Sequence, residues 1–179
     1  LTIDRPTKRV CNAIPRASRN GDFNWPQVWN GHEFLPPLPG SVLYLPGYPG
    51  QGASIKDFSG QGNNGTITGA TWTRLSSGLW VLDFDGTDDQ INLGQPASLT
   101  NNLTALTLKA WIQPDDVGGY SRLIVKENDL AGAAGNAYFL FYHLNQIFHG
   151  LSDGVTFTSS PLQGVVPTSV WTQVVGTYD

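Results

Sequence analysis

The sequence predicts an all-β protein, a sandwich of antiparallel sheets. Three observations carry this. Apolar and polar residues alternate with a period of two through many short stretches. Those stretches are rich in Val, Ile, Thr, Tyr, Phe and Trp, the residues that suit a pleated, half-buried surface. The connections draw on 21 Gly and 12 Pro, the punctuation of a sandwich rather than of helices. Glu occurs only at Glu33 and Glu127, which argues against long helices on propensity.

Residues 1–40 lack sustained periodicity and carry Asn20-Gly21, Asn30-Gly31 and "LPPLPG" at 35–40. They read as an extended arm or linker. Its aromatics Phe23, Trp25, Trp29 and Phe34 are more than a free linker carries, so they are expected to pack on this domain or a neighbour. From residue 41 short strands follow. "SVLYLP" (41–46) is ended by proline, and "TITGATWT" (66–73) comes second. "LWVLDFDG" (79–86) alternates Trp80, Leu82 and Phe84 against Leu79, Val81 and Asp83. "LTLKAWIQP" (106–114) sets Leu106, Leu108, Ala110 and Ile112 against Thr107, Lys109 and Trp111. The remaining strands are "YSRLIVKE" (120–127), "AYFLFYHL" (137–144), "QIFHG" (146–150), "GVTFT" (154–158) and "VWTQVVGTY" (170–178). Only "PASLTNN" (96–102) suggests a helical turn.

Composition bounds the function. Of ten basic residues, five lie in the first twenty positions beside one acid, Asp4; the rest of the chain sets five against thirteen acids. An acidic body makes nucleic acid a poor partner. The lone Cys11 permits neither an internal disulfide nor a thiolate zinc site. No run of 18 apolar residues is present, so no membrane insertion is expected. There is no methionine, so the chain is expected to be processed or to begin inside a longer reading frame.

The series "SVLYLP", "DFSGQGNNGTITGATW", "LDFDGTDDQINL", "ASLTNNLTALTLKAWIQP", "LIVKE" and "VWTQVVGTYD" resembles the laminin-G-like family of the concanavalin A-like lectin/glucanase superfamily. The resemblance covers about residues 41–179. It implies a two-sheet antiparallel jelly roll following the 1–40 arm. It also implies a non-catalytic module binding a glycan or glycoprotein, in an extracellular protein or on a cell or virion surface, joined to neighbouring domains. The family continues past "TYD", so the domain is expected to lack its C-terminal strands, with 170–178 a central strand buried on both faces.

Two segments are candidate cation sites. In "DFSGQGNNGT" (57–66), Asp57, Asn63 and Asn64 offer oxygen ligands of the kind Ca²⁺ takes. The same residues also suit a glycine-rich turn closed by Asx-type hydrogen bonds. In "FDGTDDQI" (84–91), Asp85, Asp88 and Asp89 repel one another unless a cation relieves them. A solvated hairpin turn is the alternative, and the resemblance favours a structural Ca²⁺ there.

Hydrolysis of a glycoside needs two carboxylates flanking the bond. Glu127 has no second Glu nearby, and no Gly-x-Ser-x-Gly elbow is present. The aromatics remain. Trp111, Tyr138, Tyr142 and His143 are candidate ligand contacts, since sugars stack an apolar face on such rings. In "AYFLFYHL" both parities are large. Either Tyr138 and Tyr142 or Phe139, Phe141 and His143 face outward. Alternatives in function are a structural or adhesive domain of a surface or virion assembly, and a degenerate glycosidase.

Overall fold

A computed structural model describes residues 28–29, 34–35, 39–46, 52–99, 105–116, 120–126, 136–153 and 157–179. These residues form antiparallel strands and a 3-10 turn at Ala97–Leu99, where the helical signal lay. The chain divides into two compact units, Leu1–Leu99 and Thr100–Asp179.

Among its described residues the first unit has seven short strands. In the stretch read as an arm, β1 (Val28–Trp29) pairs with β2 (Phe34–Leu35). β3 (Ser54–Ile55), β4 (Gly65–Thr68) and β7 (Gln90–Asn92) form a three-stranded sheet in the order β3-β4-β7. β5 (Thr71–Arg74) and β6 (Trp80–Asp83) form a hairpin ladder. Ile55 and Ile67 are buried. A Cβ on Gly65 would lie 2.5 Å from Ile91 Cγ2 and 2.9 Å from Ile55 Cγ2, so only glycine lets β3 and β7 close over β4. The expected strand at 66–73 is two strands, broken where Gly69 takes a φ of +78°.

"SVLYLP" is not a strand. Its backbone is bonded by loop 57–63 instead: Phe58 N–H donates to the Tyr44 carbonyl at 2.9 Å, and side chains of that loop take up Tyr44 N–H and the Val42 carbonyl. Apolar alternation marks burial on one side, and a loop can supply the bonds that a ladder would.

The second unit is a sandwich of two sheets. β9 (Ser121–Lys126), β10 (Asn136–His143), β11 (Gln146–Asp153) and β12 (Phe157–Ser159) run in the order β12-β11-β10-β9. β8 (Leu106–Ile112) pairs with β13 (Thr172–Tyr178) in the facing sheet. The β10–β11 turn has two residues with positive φ, Leu144 (49°) and Asn145 (62°), the twist that matches flanking strands in a two-residue hairpin. The core joins Leu140, which is fully buried, to Tyr138, Tyr142, Ile147 and Leu151 on one side and to Leu108 and Val174 on the other.

The expectation for 170–178 is corrected. β13 alternates: Val174 and Gly176 are buried, whereas Gln173, Val175 and Thr177 are exposed. Val175 reads as core in the sequence, but valine suits either side of a pleated strand.

Candidate functional site

Three constellations are built by these elements. The first is the 57–64 loop. Asp57 is 4% exposed. Its Oδ1 accepts the N–H groups of Tyr44 (2.9 Å) and Ser59 (2.8 Å). Its Oδ2 accepts the Ser59 hydroxyl (2.7 Å) and Asn63 N–H (2.9 Å). Asp57 N–H donates to Asn64 Oδ1 at 2.9 Å. Asn63 Nδ2 donates to the Val42 carbonyl at 2.6 Å, and Asn63 Oδ1 accepts the Ser98 hydroxyl at 2.9 Å. Burial is the largest influence on the Asp57 carboxyl and pushes it up. The bonds from Ser59, Tyr44 and Asn63 outweigh it and hold the group below its ordinary value.

A carboxylate has about four acceptor sites, and donors occupy four here. The Asp57 carboxylate is thus saturated by donors and does not fit a calcium cage; with buried Asn63 and exposed Asn64 it locks a turn that ties 42–44 and Ser98 to the loop. The glycines and asparagines of "DFSGQGNNGT" serve this closure.

The second constellation is the acidic turn. Ligand oxygens of Asp85, Asp88 and Asp89 lie within 4.8 Å of one another, and Asp57 is not among them. Asp89 Oδ2 accepts Asp85 N–H at 2.8 Å, and Asp85 Oδ1 accepts Thr87 N–H at 2.8 Å. Gly69 gives Asp89 its place, because a Cβ there would collide with the Asp89 carboxylate. Three carboxylates with open lone pairs fit part of the oxygen shell that Ca²⁺ takes.

The third lies on the outer face of the β9–β12 sheet. Tyr142 pairs with Ser121 across β10 and β9. One step further along this register brings Tyr120 opposite His143. Their rings stack with centroids 3.9 Å apart and planes 2° from parallel. Phe148 meets Tyr120 edge-on at 5.8 Å, and Phe139 and Phe141 continue the aromatic face. A cleft of about 150 Å³ is lined by Tyr120, His143, Phe148, Ser160 and Leu162. Tyr120 is 69% exposed, yet its ring is held by the stack. His143 Nδ1 is buried without a hydrogen-bond partner.

The four candidate ligand contacts are thus dispersed. His143 lines the cleft. Trp111, 55% exposed, stands on the outer face of β8, opposite Gln173 of β13. Tyr138 and Tyr142 are corrected to core residues, 7% and 2% exposed. The Tyr142 hydroxyl lies 2.8 Å from Asn145 Oδ1 and 2.9 Å from the Asp116 carbonyl. Burial first, and the Asp116 charge second, raise its pKa. The facing sheet β8–β13 covers this parity of β10, which fixes it as the inner one. Sequence reasoning missed Phe148, Ser160 and Leu162 as cleft residues, and Tyr120 as the partner of His143. The signal for Tyr120 was its position at the mouth of a strand adjoining β10, legible only once the register is known. Glu127 lies outside the described residues.

Among the described residues, antiparallel sheets packed face to face, as in the second unit, define a β-sandwich. The family model for a laminin G domain, described as the concanavalin A-like lectin/glucanases superfamily, matches residues 85–179, more than half of the sequence. The chain belongs to this family. The match includes the acidic turn and the whole second unit. No curated protein and no solved structure matches the chain. Among the described residues no helix is long and apolar enough to cross a membrane.

Proposed function

We propose that the chain is a non-catalytic carbohydrate-binding module of an extracellular or surface protein, with its sugar site at the Tyr120–His143 cleft. The observation that carries this reading is the Tyr120 ring. It is largely open to solvent, but the stack on His143 orients it. An ordered exposed ring offers contact area at little entropic cost. A pyranose laid on it would place its apolar C–H face against the aromatic and its hydroxyls toward Ser160. The unpaired His143 Nδ1 is a further polar group that a ligand hydroxyl can satisfy after a small ring movement; an unpaired buried polar atom costs about 1–3 kcal/mol.

The described lining holds no carboxylate, whereas glycoside hydrolysis needs two. Binding without turnover is the reading this favours. A Ca²⁺ at Asp85, Asp88 and Asp89 belongs to the same proposal, as a structural ion.

The test is a glycan array probed with the wild-type chain and with Tyr120→Ala, each with Ca²⁺ and with EDTA. The expected outcome is saturable binding by wild type that drops about tenfold or more in the variant, the loss of some 1.4 kcal/mol. Binding equal in both proteins removes the cleft from the reading. A second reading, a structural or adhesive domain, draws on the exposed Trp111, Val170 and Val175. It predicts binding to a partner protein that is lost in Trp111→Ala and untouched in Tyr120→Ala.

A further inference from the structure

Ser160 supplies an aliphatic hydroxyl to the wall of the Tyr120–His143 cleft. It follows β12 directly, and its N–H donates to the His149 carbonyl at 2.9 Å. Its side chain is tied twice to the same residue. Ser160 Oγ accepts His149 N–H at 3.1 Å and lies 3.2 Å from His149 Nδ1. The His149 ring itself points the other way, at Gly176 and Thr177 of β13. A hydroxyl of the outer cleft is thus bonded to an imidazole that sits between the sheets.

The far side of that imidazole decides which way the bond runs. Nε2 lies 2.9 Å from the Thr177 carbonyl. A carbonyl only accepts, so Nε2 carries the proton. In a neutral imidazole the other nitrogen is then an acceptor, and Nδ1 takes the Ser160 O–H. A half-turn of the ring would set carbon against both partners. A serine hydroxyl has one proton and two lone pairs. Nδ1 engages the proton and His149 N–H engages one lone pair, which leaves one lone pair. Ser160 therefore offers the cleft an acceptor and no donor. Phe148 and Leu162, beside it in the lining, offer neither.

We propose that His149 sets the polarity of the cleft: it holds Ser160 as an acceptor, so the cleft selects a pyranose that presents a free hydroxyl, as donor, to Ser160. A sugar whose oxygen is capped or replaced there meets lone pair with lone pair, and the mismatch rejects it. His149 acts as a positioning residue, through Ser160 and without touching the sugar. This selectivity rests on the reading of the cleft as a sugar site.

Two measurements test it, and the first needs no sugar. Long-range proton–nitrogen correlation spectra of the full chain, in mildly alkaline buffer, read the His149 tautomer. The Nε2–H form is expected; the Nδ1–H form would overturn the proposal. The second titrates the chain with the methyl pyranosides of glucose, galactose and mannose. Derivatives of each carry hydrogen or fluorine in place of one hydroxyl at a time; fluorine accepts but cannot donate. At one hydroxyl both replacements should weaken binding alike, about fivefold, the loss of one hydrogen bond. In Ser160→Ala neither replacement at that hydroxyl should matter. His149→Phe keeps a ring against Gly176 but frees the Ser160 proton, and there the fluorine derivative should bind about threefold better than the hydrogen one. Fluorine tolerated better than hydrogen by the wild type at that hydroxyl, or no hydroxyl that responds to Ser160→Ala, would overturn the role of His149. Binding still lost in Tyr120→Ala would then leave the sugar site standing. No binding of any of the three pyranosides would overturn the site and the selectivity together. Should His149→Phe not fold, the tautomer and the wild-type series still decide.

Discussion

The imidazole of His149, on β11, packs against Gly176 of β13: a Cβ placed on the glycine would come within 2.7 Å of the His149 Cγ. The same ring reaches the Thr177 carbonyl through Nε2 at 2.9 Å and Ser160 Oγ through Nδ1 at 3.2 Å. One side chain thus spans both sheets of the second unit, and a residue without a side chain makes the space for it.

Gly176→Ala is therefore expected to destabilise the chain by about 1–3 kcal/mol, the usual cost of overpacking. Urea unfolding followed by tryptophan fluorescence reads this as a lower midpoint at unchanged slope. A midpoint equal to wild type would show that the sheets can separate there freely.

Asp57 predicts an acid limb. Its folded pKa lies below the ordinary value of 3.8, so its contribution is fully present above the unfolded pKa. That contribution is lost as pH falls from there through the folded value. Asp57→Asn replaces acceptor Oδ2 by a donor facing the Ser59 hydroxyl and Asn63 N–H, and should cost about 3 kcal/mol at neutral pH. Its stability should also fall less steeply than that of wild type below about pH 4. Parallel acid limbs in the two proteins would remove Asp57 as the group responsible.

The acidic turn predicts a calcium response. Melting with Ca²⁺ in hundredfold excess over its dissociation constant should stabilise the chain by about 2.7 kcal/mol relative to chelator. The triple variant Asp85→Asn, Asp88→Asn, Asp89→Asn should melt at one temperature in both buffers. Asp57→Asn should keep the shift. A wild-type midpoint indifferent to Ca²⁺ would count against the ion.

Leu140→Ala and Val175→Ala separate the inner parity from the outer. Leu140 is wholly buried between the sheets, and its truncation should cost about 3 kcal/mol. Val175 is exposed on β13, and its truncation should change stability by about 0.5 kcal/mol or less. Comparable losses at both would restore the view of β13 as a strand buried on both faces.

Much of the architecture was local and so legible. Alternation in "LTLKAWIQP" and "AYFLFYHL" marks β8 and β10 within two residues of their ends, because side-chain direction in a strand depends only on position. The carboxylate cluster at Asp85, Asp88 and Asp89 was legible for the same reason, since five residues of a tight turn cannot separate their oxygens far. The sequence by itself could not say which parity of a doubly apolar strand turns inward. Tyr138 and Tyr142 became core, and Phe139, Phe141 and His143 the outer face, because the β8–β13 sheet covers the first set. That choice is made by residues 26 to 40 positions away in the sequence. It likewise took long-range register to bring Tyr120 against His143, and Tyr44 and Ser98 to the Asp57 lock. Propensity and periodicity report what a segment can bury; only the packed partner decides what it does bury.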